Sequence, residues 1–184
     1  LEANNKPENF TIILSSNSGL AFSKSIDDVK SCIDYAEWLR EHHLTVEAYK
    51  MAMWGWRNIL PMLDREKTSA DNHMLDLFYE CAYEIGWNLM DLGKLEEAVC
   101  YLEIASKNLN APYVTEYING LVNLQDSRSL GVIDYAFSHF PKPTDENLVQ
   151  HWNEYMAFLK RRKAYVLIER RRLEEAESLS LIHI

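Results

Sequence analysis

The sequence predicts an all-α protein built from antiparallel pairs of helices. Apolar residues recur at spacings of three, four and seven in most of the chain, which is the period of an amphipathic helix. No segment is clearly a strand, although residues 10–14 could form either a short strand or a short helix. The connections between the helical segments are short, which favours antiparallel neighbours. The 184 residues suit one globular domain or one short array of repeats.

The order of the elements follows from capping and breaking residues. Residues 1–25 are expected to be an N-terminal arm or the end of a preceding unit, and residues 26–184 the helical domain. Ser25 suits a helix N-cap, Pro61 is expected to stop the second helix, and Thr144 is expected to cap a long helix after Pro143. The expected helices lie at about 25–42, 45–60, 71–92, 95–110, 113–125, 127–140 and 144–172, with a last one from Leu173.

The clearest single feature is a helical hairpin between Glu84 and Asn110. Gly93 stands between the two apolar patterns, and glycine readily adopts the positive φ that ends a helix. Gly86 lies inside the first helix, where it costs about 1 kcal/mol relative to alanine. Gly86, Ala98 and Ala105 are all small, so we expect the two helices to cross closely at these positions.

This hairpin resembles a tetratricopeptide repeat, a helix-turn-helix unit of 34 residues. Gly86 and Gly120 are 34 residues apart, and Leu173-Glu-Glu-Ala repeats the sequence that begins at Leu95. The resemblance covers about 29–177 in four imperfect units, the last of them truncated. It implies a short right-handed α-solenoid, in which stacked hairpins share one continuous core.

In tetratricopeptide proteins the first helices of successive units line a concave groove that binds a partner. The resemblance therefore implies a partner-binding groove, whose aromatic residues and arginine are of the types that dominate interfaces. An alternative is that neighbouring helices or the N-terminal arm cover these residues. By register the groove residues are Tyr83, Trp87, Met90, Tyr117, Leu121, Arg161 and Tyr165.

Charge and cysteine content exclude several classes of function. The formal net charge is −9 and the pI about 5.1, which argues against nucleic acid and anionic membranes as partners. No apolar run reaches the roughly 20 residues of a membrane helix. Cys32, Cys81 and Cys100 are odd in number and without a C-x-x-C pair, so we expect three buried, reduced thiols and a cytoplasmic protein.

The sequence offers little support for catalysis. No phosphate loop, nucleophile elbow or helical metal motif is present, so we expect a non-catalytic module without metal or cofactor that binds a peptide or protein segment, as part of a larger regulator or scaffold. The alternative is an enzyme or metal-binding domain, supported only by a stripe of His73, Asp76, Glu80 and Glu84. Self-association through the solenoid ends is also possible. The basic run 160–163 is interpreted as a solvated face, or else as a site for an acidic segment.

The tail 178–184 breaks the helical pattern, and we expect it to be a non-native end or the stump of a longer array. Deleting 178–184 should leave the melting temperature nearly unchanged and reduce any self-association, because an exposed apolar tail promotes association. Thermal unfolding and light scattering of the truncated chain check this. A large loss of stability would show that the tail is part of an integral helix.

Overall fold

The computed structural model describes residues 26–65, 72–140 and 142–170. These residues form seven α-helices and no strand, which confirms the all-α prediction for this part of the chain. The predicted arm 1–25, the last helix from Leu173 and the tail 178–184 lie outside the described residues. The helices are α1 (Ile26–Glu41), α2 (Thr45–Arg65), α3 (Asn72–Asp91), α4 (Leu95–Ser106), α5 (Ala111–Asn123), α6 (Ser129–His139) and α7 (Glu146–Glu169).

The chain divides into two compact units, Leu1–Asn108 and Leu109–Ile184. In the first unit α1 pairs with α2 and α3 with α4, while α2 packs on α3 and α1 also touches α3. The amphipathic faces meet between these helices, because a single hairpin has nothing to cover its apolar side. The core of this unit includes Val29, Ile33, Ile59, Met74, Leu77 and Cys81.

In the second unit α5, α6 and α7 pack on one another. Their shared core consists of Val114, Ile118, Val122, Ile133, Ala136, Met156, Leu159 and Val166. Asp145 caps α7, because its carboxylate accepts a hydrogen bond from the Asn147 amide at 2.9 Å. The predicted cap, Thr144, lies one residue too early, since only Asp145 reaches the free amides of the first turn.

The same turn closes three of the helix pairs. His43, Gly93 and Gln125 have φ values of 60°, 74° and 54°. In each case the amide of the following residue donates to a carbonyl five residues earlier, at Leu39, Leu89 and Leu121, over 2.9 Å. This is the Schellman arrangement, which satisfies carbonyls left free at a helix C-terminus. The turn predicted at Gly93 is therefore confirmed, and it recurs at two positions occupied by residues other than glycine.

The close crossing predicted at Gly86 is also present. A β-carbon added at Gly86 would lie 2.5 Å from Leu102 Cγ and 3.2 Å from the Ala98 carbonyl oxygen. Gly86, Ala98, Leu102 and Ala105 are all buried. The absence of a side chain thus allows α3 and α4 to approach closely.

Two further expectations from the sequence are wrong. Pro61 lies inside α2, which continues to Arg65, because Met62 and Leu63 beyond it pack against the core around Ile59. The proline itself is exposed, so its ring meets solvent. Cys32 and Cys81 are buried as expected, but Cys100 is exposed. The reason is that α4 turns its opposite side, with Ala98 and Leu102, toward the core.

Replacing Gly86 by alanine should lower the free energy of unfolding by about 1–3 kcal/mol, the cost of overpacking a core. Leu102 is fully buried and cannot move aside, so the clash outweighs the better helix propensity of alanine. Urea denaturation followed by circular dichroism measures the change.

Gly131→Ala is the matched control, since a β-carbon at Gly131 in α6 meets nothing within 4 Å. That variant should gain up to about 1 kcal/mol from helix propensity alone. Equal effects at the two glycines would contradict the close crossing.

Candidate functional site

The candidate site lies where α1 and α3 run side by side in the first unit. Ion pairs between side chains of the two helices join them. Lys30 Nζ lies 3.2 Å from Glu80 Oε1, and Arg40 Nε and Nη2 donate to the two Glu84 carboxylate oxygens at 3.1 and 3.3 Å. A two-pronged arginine–carboxylate contact fixes both the distance and the orientation of the partners. The two helices therefore present a face of defined geometry.

Trp87 is held on this face by the arginine. The Arg40 guanidinium carbon lies 4.3 Å from the centre of the Trp87 ring, within the range of a cation–π contact. The ring of Tyr83 meets Trp87 edge-on, with centroids 5.3 Å apart and an interplanar angle of 90°. Trp87 and Met90 remain half-buried, so part of each side chain is available at the surface.

Glu84 is the unusual member of this cluster. Its side chain is 4 % exposed, while that of Arg40 is 15 % exposed. Burial raises the pKa of the Glu84 carboxyl above its ordinary value, although Arg40 acts in the opposite direction. The side chain of the fully buried Asn88 donates to the Glu84 backbone carbonyl at 2.7 Å, and its own oxygen has no hydrogen-bond partner among the residues that the structure describes.

The predicted groove residues divide between the two units. Tyr83, Trp87 and Met90 lie on α3, and the structure brings Tyr83 and Trp87 into contact. Tyr83 is buried, at 9 % exposure, so it reaches a partner mainly through Trp87. In the second unit Tyr117 is 5 % exposed and Leu121 is fully buried, so these two side chains present almost no surface to a partner. The other two predicted residues lie on α7.

On α7, Arg161 is exposed and Tyr165 is 49 % exposed. Tyr165 borders a pocket of about 190 Å³ that Gln125, Ser129 and Arg170 also line. Arg170 donates there to the backbone carbonyls of Asp126 and Ser127, at 3.3 and 3.0 Å. The arginine thus caps the turn after α5.

The sequence alone did not identify Arg40 as part of the site, and it placed Glu84 on a polar face. A signal was available for Glu84, because the apolar Cys81 lies three residues before it and therefore on the same side of the helix, and the structure buries both. Nothing comparable marks Arg40, whose partner lies 44 residues away.

The stripe of possible metal ligands does not form a cluster. His73 and Asp76 are exposed, Glu80 is paired with Lys30 and Glu84 with Arg40. Among the residues that the structure describes, no group of three or more His, Cys, Asp and Glu side chains could hold a metal ion. In the same part of the chain, no helix is long and apolar enough to cross a membrane.

Comparison of the chain with protein-family models, curated proteins and solved structures found no match.

Replacing Arg40 by methionine should destabilise the protein by about 2–4 kcal/mol at neutral pH. Removing one partner of a buried ion pair leaves an uncompensated charge, and the loss is moderated here by the partial exposure of Arg40. Urea denaturation at pH 7 measures it. The double variant Arg40→Met/Glu84→Gln is the control and should recover part of the loss, because no buried charge then remains.

The loss should shrink as the pH falls. The pKa of Glu84 in the folded state is raised, and without Arg40 it rises further, so the folded state binds a proton before the unfolded chain does. In the Arg40→Met variant, the stability gained by protonating Glu84 is therefore fully present below the ordinary glutamate pKa. It is lost as the pH rises through the folded-state pKa of Glu84. Urea denaturation of the unchanged chain and of the Arg40→Met variant between pH 4 and pH 7 measures the difference in their free energies of unfolding. A loss independent of pH would contradict the assignment.

Proposed function

We propose that this chain is a non-catalytic protein-interaction module of the tetratricopeptide type, which binds a peptide or protein segment on the α1/α3 face of its first unit. The observation that carries the proposal is the recurrence of one hairpin turn, with left-handed residues at His43, Gly93 and Gln125. A recurring turn supports a repeat array, in which each unit is one supersecondary element stacked on its neighbours.

The packing at the small-residue positions also supports the repeat interpretation. Ala48 and Ala98 each lie five residues after the left-handed residue of their hairpin, and both are fully buried. Gly86 supplies the close crossing within the second hairpin. A right-handed α-solenoid of such hairpins is the arrangement that we propose for the whole chain.

The location of the binding surface follows from Trp87. Tryptophan, tyrosine and arginine dominate the energetics of interfaces. On this face the half-buried Trp87 and Arg40 are in contact, and the buried Tyr83 supports the Trp87 ring from its edge. The ion pair with Glu84 already fixes the arginine, so little side-chain freedom remains to be lost when a partner binds. Such a module suits a larger regulator or scaffold. Cys32 and Cys81, which are free thiols, support a cytoplasmic location.

A direct test selects partners from a displayed library of random 12-residue peptides and measures their affinity for the whole chain by calorimetry. We expect Trp87→Ala to weaken the selected peptides about tenfold or more, as at an interface hot spot, and Trp87→Phe to retain most of the affinity.

Trp54→Ala is the matched control, because Trp54 is also half-buried but belongs to α2, the second helix of its hairpin. Circular dichroism confirms that each variant is folded. Failure to select any peptide, or equal losses at Trp87 and Trp54, would refute the proposed surface.

A further inference from the structure

A second surface lies in the other unit, between α6 and α7. There the two helices leave an open groove of about 580 Å³, lined by Phe137, Trp152, Asn153, Met156, Ala157 and Lys160. The volume is in the range of sites that accept a bulky side chain and its neighbours. Most of the lining side chains are apolar, and the cationic Lys160 lies at one end of the groove.

The wall of this groove is fixed before any ligand arrives. Trp152 Nε1 donates to the Phe140 carbonyl at 2.8 Å, which sets the orientation of the indole. Met156 is nearly buried and anchors the floor in the core of the second unit. One turn before Trp152, Leu148 extends the apolar surface and is 52 % exposed. The groove is therefore a preorganised apolar surface.

The charged side chains near the groove decide which class of segment it can bind. Lys163 is engaged by Asp134 at 2.7 Å, and Arg162 lies over the Phe158 ring at 5.5 Å. By contrast, no described residue forms an ion pair or hydrogen bond with the side chain of Lys160 or Arg161. Lys160 stands one helical turn from Ala157, about 4.5 Å along the axis. A carboxylate one to three residues from an apolar anchor would reach it.

We propose that the α6/α7 groove is a second docking site, specific for an acidic segment that inserts a bulky apolar side chain beside Trp152 and places carboxylates against Lys160. A basic segment is disfavoured by the like charges. This site is separate from the α1/α3 face, and it gives a role to Lys160, which the first surface does not use.

The test uses the whole chain and a fluorescein-labelled 12-residue peptide with Phe and Leu followed by three glutamates. Anisotropy should show binding that weakens as salt is added, because exposed charge pairs are screened. A matched peptide with lysine for glutamate, and one with alanine for Phe and Leu, should each bind at least about fivefold more weakly, the loss of roughly 1 kcal/mol.

Lys160→Glu should weaken the acidic peptide by a similar factor, and Ala157→Leu, which fills the groove, should do the same. Lys142→Glu is the matched control, since Lys142 is exposed and lies outside the groove. Trp87→Ala should leave this affinity unchanged, which separates the groove from the α1/α3 face.

Three results would overturn the proposal. One is equal binding of the acidic and lysine peptides, or equal effects of Lys160→Glu and Lys142→Glu. Another is binding to vesicles of phosphatidylserine and phosphatidylcholine without binding to the peptide, which would assign the basic run to an anionic lipid surface. The third is sedimentation showing self-association that Lys160→Glu abolishes, which would make a second copy of the chain the occupant.

Discussion

Position 86 has no room for a side chain, and the packing of the first unit depends on that constraint. Leu102 Cγ and the Ala98 carbonyl oxygen occupy the space that a β-carbon would need. Because α3 and α4 approach so closely there, their other small residues can also be buried. The other side of α3 then faces α1, where Glu84 meets Arg40. The position of the α1/α3 face is thus a consequence of how the α3/α4 hairpin packs.

The buried ion pair between Glu84 and Arg40 connects the packing of the first unit with the proposed binding surface. Taking Glu84 and Arg40 out of water is costly, and the mutual contact offsets only part of that cost, which is consistent with the raised pKa of Glu84. What the pair contributes is geometry, because it holds the guanidinium under Trp87. In the proposed surface the Trp87 ring on α3 is held by Arg40 from α1, and a surface that is already ordered loses less freedom on binding than a loop that must first become ordered.

The two units differ in charge, and this separates the two proposed surfaces. Residues 1–108 contain 18 acidic and 10 basic residues, a net charge of −8, whereas residues 109–184 contain 10 acidic and 9 basic residues, a net charge of −1. The basic residues of the second unit include the run on α7. Electrostatic complementarity acts mainly on specificity and on the rate of association, so the two proposed surfaces would favour different classes of segment.

The sequence by itself determined the helices, the turn at Gly93 and the close approach at Gly86, because periodicity, capping and the missing side chain are local properties. It failed at Pro61 and Cys100, where packing against other helices outweighed a local breaker and an assumed apolar face. From the register of the repeat, the sequence predicted Trp87 and Tyr83 as residues of a binding groove. Only the tertiary structure decided that Leu121 is buried, that Arg40 holds Trp87 and that Lys160 borders a groove. The reason is that burial and charge pairing depend on which helices become neighbours, and residues 44 apart in the chain carry no local mark of their contact.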